Sequence, residues 1–223
     1  KSKLPKVLIS VHFAGLINYQ EEIWKLSKQY GFFIIEDCCH ALGGSRNNEM
    51  AGSCKYSHIS VFSFHPVKAM TTGEGGMATT NYKNLKDKMF LINNHGINKN
   101  KKKLINKKKL DFYYEQILLG YNFRLTDFQS ALGLSQLKKL KLFIKKRNQI
   151  ADEYNKELNQ LPIKLPKKYK NILHAFHLYI INLKNIKIRN TLYEYLIKNK
   201  IKCNQHYIPV YKQPFYKDKL KKK

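Results

Sequence analysis

Apolar residues in the first eighty positions fall into short runs separated by polar and turn residues. Four of these runs predict strands, at Lys6–Val11, Phe32–Glu36, Ile59–Phe62 and Met77–Thr80. Between the first two, apolar residues recur at helical spacing from Tyr19 to Tyr30, and Gly31 follows where a left-handed cap ends a helix. The order strand, helix, strand predicts a right-handed crossover and therefore a parallel sheet.

After the first eighty residues the apolar positions mostly follow helical spacing. This spacing predicts a helix at Asn84–Asn93 and a long helix that Thr126 caps. An extended linker follows at Leu161–Pro166, and then a strand, a helix and a strand are predicted, at His174–Ile181, Arg189–Lys200 and Cys203–Tyr207. We therefore expect an α/β protein with a large domain over residues 1–147 and a smaller α/β domain over 148–223, the latter truncated.

Composition and charge narrow the functional classes. The chain has 223 residues, 43% of them hydrophobic, and a formal net charge of +27. This charge is compatible with a basic nucleic-acid-binding module, which is the alternative from another class. Only four residues are arginine, whereas base recognition relies on the bidentate arginine fork. The lysine-rich stretch Asn98–Lys109 is more typical of a solvated loop.

One lysine lies in a turn directly after a predicted strand, a position that suits a catalytic residue. Pro66 ends the strand ladder that begins at Ile59, and Lys68 follows in a turn beside Ser63 and a glycine-rich segment. An amine on rigid backbone can bond covalently to a carbonyl cofactor. The alternative is an ordinary surface lysine, because lysines are mostly solvated.

A carboxylate precedes that lysine by some thirty residues. Asp37 ends the apolar run that starts at Phe32, and in open α/β sheets ligands bind at the carboxyl ends of strands. An ionised aspartate there would keep the ring nitrogen of pyridoxal phosphate protonated. The alternative is an aspartate that only caps the following turn.

Five segments in order resemble the DegT/DnrJ/EryC1/StrS family of sugar aminotransferases, which are pyridoxal 5'-phosphate enzymes of fold type I. The segments begin at Glu36, Phe62, Thr72, Asn94 and Gly120, and read EDCCHALG, FSFHPVK, TGEGG, NHG and GYNFRLTD. The resemblance covers about Val7 to Tyr216. Within the family it is nearest to the transaminases of pseudaminic acid biosynthesis. It implies a fold type I large domain whose N-terminal part lies before Lys1, so that these 223 residues alone would be inactive.

The resemblance also implies roles for individual residues. Lys68 is the catalytic residue, and the cofactor is bound by Asp37 at its ring nitrogen, Cys39 on its ring face, His40 at its phenolic oxygen and Ser63 at its phosphate. Asn122 reaches the phosphate in the neighbouring subunit of a homodimer with shared sites. The substrate would contact Arg124, His206 and Tyr207. No metal is implied.

The function that follows is amino transfer from L-glutamate to the C4 ketone of a nucleotide-linked 4-keto-6-deoxy sugar, for surface-glycan or nonulosonate synthesis. Alternatives within the family are a dehydratase, whose members replace the lysine by histidine, and a non-catalytic regulatory relative. The four cysteines show neither a CxxC pair nor zinc-ligand spacing, which favours a reducing cytoplasm. No apolar stretch has the length of a membrane span, and neither a membrane nor a nucleic acid is expected as a partner.

Overall fold

The computed structural model describes residues 4–106 and 110–220, and it contains helices, strands and short 3-10 turns. The strands are β1 (Val7–Val11), β2 (Phe33–Asp37), β3 (Ser45–Arg46), β4 (Glu49–Met50), β5 (Ile59–Ser63), β6 (Gly76–Thr79), β7 (Ile97–Asn98), β8 (Glu115–Gln116) and β9 (Ile172–Leu173). The helices are α1 (Gln20–Tyr30), α2 (Lys83–Asn93), α3 (Asp127–Leu158), α4 (Ile186–Lys198) and α5 (Pro214–Leu220). The predicted α/β class and mostly parallel sheet are confirmed.

The main sheet has the strand order β1-β2-β5-β6. β1, β2 and β5 are parallel, and β6 returns antiparallel to β5. The register aligns Val11, Asp37 and Val61 in one row across the carboxyl ends of the three parallel strands. Because paired side chains share a face of the sheet, Asp37 and Ser63 lie on the same face.

The two faces of this sheet differ in burial. One face carries the row Ser10, Glu36 and Ser60, which is buried. On the other face Val7, Ile9 and Val11 are exposed in the described structure. The face that carries Asp37 is therefore the accessible one.

Sequence signals at helix ends are confirmed. Gly31 caps α1 with φ 73°, the left-handed conformation expected of it. Thr126 begins α3 with a full capping box, because its hydroxyl accepts from the Gln129 N–H and the Gln129 side chain accepts from the Thr126 N–H. The packing of α3 is tertiary: Leu140 and Ile144 bury against Ala69 and Ala175.

Two predicted strands are wrong. Residues 174–181 form irregular backbone, because the Phe176 N–H donates to Nδ1 of His174 and Phe176 takes φ 42°, which breaks an extended run. Residues 203–207 are also not a strand, since a strand requires a hydrogen-bonded neighbour and the described residues supply none there. The lysine-rich stretch contains a 3-10 turn at Lys101–Lys103, while residues 107–109 lie outside the described residues.

The described chain divides into two compact units. One contains the part up to Asn159 together with Pro166–Ile180, and the other contains Gln160–Leu165 and the part from Ile181 onward. The boundary predicted at residue 148 falls inside α3, and it stays a prediction about the domains. No described helix combines the length and the apolarity that crossing a membrane requires.

His174 makes folding stability depend on pH. It is 7% exposed, and burial, together with the charge of Lys168, lowers its pKa from 6.5 to about 4. The unfolded chain therefore binds a proton that the folded chain does not, and stability falls as pH decreases from 6.5 toward 4. We expect the loss to approach about 3 kcal/mol.

The measurement is the free energy of unfolding in urea at several pH values for the wild type and His174→Asn, whose amide oxygen can replace the Nδ1 acceptor. His58, whose pKa burial also lowers, contributes in the same direction, and His58→Gln measures its share. An unchanged slope in His174→Asn would contradict the assignment.

Candidate active site

Lys68 is carried on a loop that is closed by hydrogen bonds. The Phe64 N–H donates to the Gly75 carbonyl at 2.8 Å, and the Thr72 N–H donates back to the Phe64 carbonyl at 3.0 Å. Within the loop the Lys68 N–H donates to the His65 carbonyl at 2.9 Å. These bonds make the backbone at Lys68 a fixed turn.

Packing against helix α3 also fixes this loop. Ala69 and Met70, directly after Lys68, are buried, and Ala69 contacts Leu140 and Ile144 of α3. Gly133 of α3 has no side chain where a Cβ would lie 2.9 Å from the Thr72 methyl group. Helix α3 therefore approaches the loop closely and fixes the position from which the half-buried Lys68 side chain starts.

Asp37 and Cys39 meet Lys68 at the strand ends. The Cys39 N–H donates to Oδ1 of Asp37 at 3.0 Å, and the Cys38 N–H donates to the Val61 carbonyl at 2.9 Å. Burial, with the neighbouring Asp37 carboxylate, raises the pKa of the Cys39 thiol to about 12, while the Lys68 ammonium pulls it down. Cys39 is therefore a neutral thiol between an acid and an amine.

Ser63 lies at the end of β5, on the side of the sheet that carries Asp37. Its hydroxyl accepts from the His65 N–H at 3.5 Å, a long contact at the start of the Lys68 loop. The structure brings Asp37, Cys39 and Lys68 together at the carboxyl ends of the strands. It places Ser63 on the same face of the sheet, two residues beyond the row that contains Asp37 and Val61.

His40 has a defined tautomer. The Ala14 N–H donates to its Nδ1 at 3.3 Å, which leaves the hydrogen of a neutral ring on Nε2. Its ring also packs against His177, with ring centroids 4.3 Å apart. Sequence reasoning missed Ala14 and His177 here, since neither an alanine in a turn nor a histidine in a predicted strand signals a supporting role.

Asn122 and Arg124 belong to a different segment. Backbone bonds join Tyr121 and Phe123 to the end of α2, and Arg124 Nη1 donates to Oδ1 of Asn94 at 2.6 Å. Asn122 is exposed. His206 and Tyr207 lie in the second unit, where their rings are 4.5 Å apart, and their role stays a prediction.

The cluster fits a pyridine cofactor. It offers a carboxyl group, a histidine with its hydrogen on Nε2, a hydroxyl and an amine, which suit the ring nitrogen, phenolic oxygen, phosphate and aldehyde of pyridoxal phosphate. No hydrogen bond or ion pair among the described residues engages the Lys68 amine. The architecture is that of a fold type I transferase.

Comparison with known proteins gives the family. Residues 2–223 match the model of the DegT/DnrJ/EryC1/StrS aminotransferase family, and the chain belongs to this family. It is 40% identical over 216 residues to the UDP-4-amino-4,6-dideoxy-N-acetyl-beta-L-altrosamine transaminase of Campylobacter jejuni subsp. jejuni serotype O:2, covering 94% of this chain and 54% of that protein.

Solved structures agree with this assignment. Helicobacter pylori PseC, an aminotransferase involved in the biosynthesis of pseudoaminic acid, superposes with a TM-score of 0.84 at 35% identity, covering 94% of this chain and 54% of that chain. The PLP form of a Streptococcus pneumoniae putative sugar aminotransferase gives 0.82 at 25% identity, covering 96% and 57%. The chain thus spans about half the length of these relatives.

Gly15 lies where the backbone packs closely against His40 and Phe176. It has φ 101°, and an added Cβ would lie 2.9 Å from both the His40 carbonyl oxygen and the Phe176 nitrogen. Gly15→Ala therefore combines backbone strain with overpacking. Gly31→Ala is the matched control, because Gly31 also has positive φ but nothing within 4 Å.

We expect Gly31→Ala to cost about 1 kcal/mol of unfolding free energy and Gly15→Ala roughly 1–3 kcal/mol more. Urea unfolding measures both. The NMR signals of His40 should shift only in Gly15→Ala. Equal losses of unfolding free energy in the two variants would show that the backbone at Gly15 does not pack tightly against His40.

Proposed function

We propose that the protein is a pyridoxal phosphate-dependent aminotransferase that moves an amino group from L-glutamate to the C4 ketone of a nucleotide-linked 4-keto-6-deoxy sugar. The observation that carries the proposal is Lys68 on its fixed loop beside Asp37 at the carboxyl ends of parallel strands. The family and the Campylobacter jejuni relative support the reaction class and the sugar class.

Each residue has a proposed task toward the cofactor. Asp37 accepts a hydrogen bond from the protonated ring nitrogen, and Cys39, as a neutral thiol, packs on the ring face. His40 donates from Nε2 to the phenolic oxygen, and Ser63 donates to the phosphate. When bound, the cofactor supplies an electron sink that weakens the bonds at the carbon carrying the amino group.

Lys68 has two tasks. Its Nζ would hold the cofactor covalently in the resting enzyme, and the amine, once an incoming substrate had displaced it, would carry a proton to and from the reacting carbon. The half-buried position of Lys68 and the rigid loop suit both tasks, because the amine must return to one place in each half-reaction. Lys68 also argues against the dehydratase alternative, in which histidine replaces this lysine.

Arg124 is proposed to bind a substrate anion, since a guanidinium group pairs with phosphate and carboxylate alike. Asn122 is proposed to complete the site of a second subunit. The neighbouring Phe123 and Phe128 are 65% and 91% exposed, which supports contact with a partner at this segment. The four free cysteines suit a cytoplasmic enzyme.

The first test is Lys68→Ala in the longest natural chain that contains these residues. We expect the wild type to retain cofactor covalently after borohydride reduction and Lys68→Ala to retain none. Turnover should fall by roughly 10²–10⁴-fold or more, the usual contribution of a proton-transferring group. Lys86→Ala, on the exposed side of α2, is the matched control. Covalent cofactor in Lys68→Ala would exclude Lys68 as the attachment point.

The second test concerns donor and acceptor. L-Glutamate alone should convert the bound cofactor to its amine form and release one equivalent of 2-oxoglutarate, and a 4-keto sugar nucleotide should restore the starting spectrum and yield an amino sugar. Glutamine as the only effective donor, or a deoxygenated product without nitrogen, would contradict the proposal. A protein that binds cofactor without either half-reaction would be the regulatory relative.

A further inference from the structure

Glu36 is a buried carboxylate on the face of β2 opposite to Asp37. It is 5% exposed and lies in the register row between Ser10 of β1 and Ser60 of β5. A charge in such a place is costly unless hydrogen bonds satisfy it. The residue precedes Asp37 directly, so whatever fixes Glu36 also fixes the backbone that carries Asp37.

Both carboxylate oxygens of Glu36 are hydrogen-bonded. Oε1 accepts from Nε2 of His12 at 2.7 Å and, at 3.4 Å, from the Gly52 N–H. Oε2 accepts from the Ser57 hydroxyl at 3.0 Å and the Ser60 hydroxyl at 2.7 Å. Burial acts to raise the pKa of Glu36, but the hydrogen bonds from His12 and the two serines hold it below its ordinary value. The group is an anion.

The tautomer of His12 follows from its other nitrogen. The Asn18 N–H donates to Nδ1 of His12 at 3.1 Å, so Nδ1 is an acceptor and the hydrogen is on Nε2. His12 therefore donates its Nε2 hydrogen to Glu36 and accepts at Nδ1.

A metal ion is a weaker interpretation of the same atoms. Ligand atoms of His12, Glu36 and Cys38 lie within 4.8 Å of one another. Nε2 of His12 carries the hydrogen that it donates to the Glu36 carboxylate, so this nitrogen offers no lone pair to a metal ion. Burial also raises the pKa of the Cys38 thiol far above its ordinary value, which disfavours the thiolate.

The hydrogen bonds of Glu36 connect β2 to the same two neighbouring segments that the backbone around Asp37 contacts. The Asp37 carbonyl accepts from the His12 N–H at 3.1 Å, and the next N–H, that of Cys38, donates to Val61 in β5. Through His12 and Ser60, the Glu36 carboxylate ties the end of β1 and the middle of β5 to β2, one residue before Asp37.

We propose that Glu36, with His12, Ser57 and Ser60, is a positioning residue that holds the Asp37 carboxylate at the ring nitrogen of the cofactor. The inference rests on the proposed function for the identity of the cofactor. These residues do not touch the cofactor, and they affect its binding only by fixing the position of Asp37.

The test is a double-mutant cycle on the longest natural chain, with the affinity for pyridoxal phosphate as the readout. Glu36→Gln should weaken binding by roughly tenfold, the scale known for partners that orient a binding group. In the Asp37→Asn background the same change should have no further effect. Glu49→Gln is the matched control, because Glu49 pairs with Lys55 at the surface.

A second readout needs no cofactor. The N–H groups of Cys38 and Cys39 are bonded to Val61 and Asp37, and hydrogen exchange of these two amides should accelerate by about tenfold in Glu36→Gln. Exchange in α4, in the other unit, should be unchanged. If Glu36→Gln fails to fold, Ser60→Ala removes one donor while keeping the charge, and the same cycle is run with it.

Two outcomes would overturn the inference: equal weakening of cofactor binding in both backgrounds, which indicates a purely structural role, or no weakening in either. A wild-type protein that binds no pyridoxal phosphate would refute the proposed function instead. In that case unaccelerated exchange at Cys38 and Cys39 would also refute the positioning of Asp37, whereas accelerated exchange would support it.

Discussion

Parallel pairing of β1, β2 and β5 is the constraint on which the site depends. It brings three carboxyl strand ends to one edge, and the polar residues that follow each strand meet there. Asp37 and Ser63 come to one face, while Glu36 and Ser60 come to the other. A register shift of one residue would exchange these faces and bury Asp37 where Glu36 now lies.

Helix α3 has a complementary role. Its capping box fixes where it begins, and its buried stripe of Leu140 and Ile144 presses on the segment after Lys68. The lysine loop buries Phe64, Ala69 and Met70, and its position is fixed by the packing of Ala69 on the helix and by the hydrogen bonds between Phe64, Thr72 and Gly75. In the proposed function this support would matter, because the amine of Lys68 would have to return to one position in each half-reaction.

The two faces of β2 carry carboxylates in different surroundings. The accessible face carries Asp37, and on the buried face Glu36 accepts hydrogen bonds from His12, Ser57 and Ser60. These bonds reach both carboxylate oxygens and offset the cost of burying the charge. In the proposed function, the same strand would carry one carboxylate that binds the cofactor and one that positions the first.

The sequence by itself determined the strands of the main sheet, the helix caps at Gly31 and Thr126, and the candidate residues Asp37 and Lys68, because periodicity, turn chemistry and strand-end placement are local signals. Only the tertiary structure decided the support of His40 by Ala14 and His177, the irregular backbone of residues 174–181, and the partners of Glu36. These depend on contacts between residues distant in the chain: His12 and Glu36 are 24 positions apart, and their hydrogen bond forms only when β1 and β2 pair. A local pattern cannot specify such a partner.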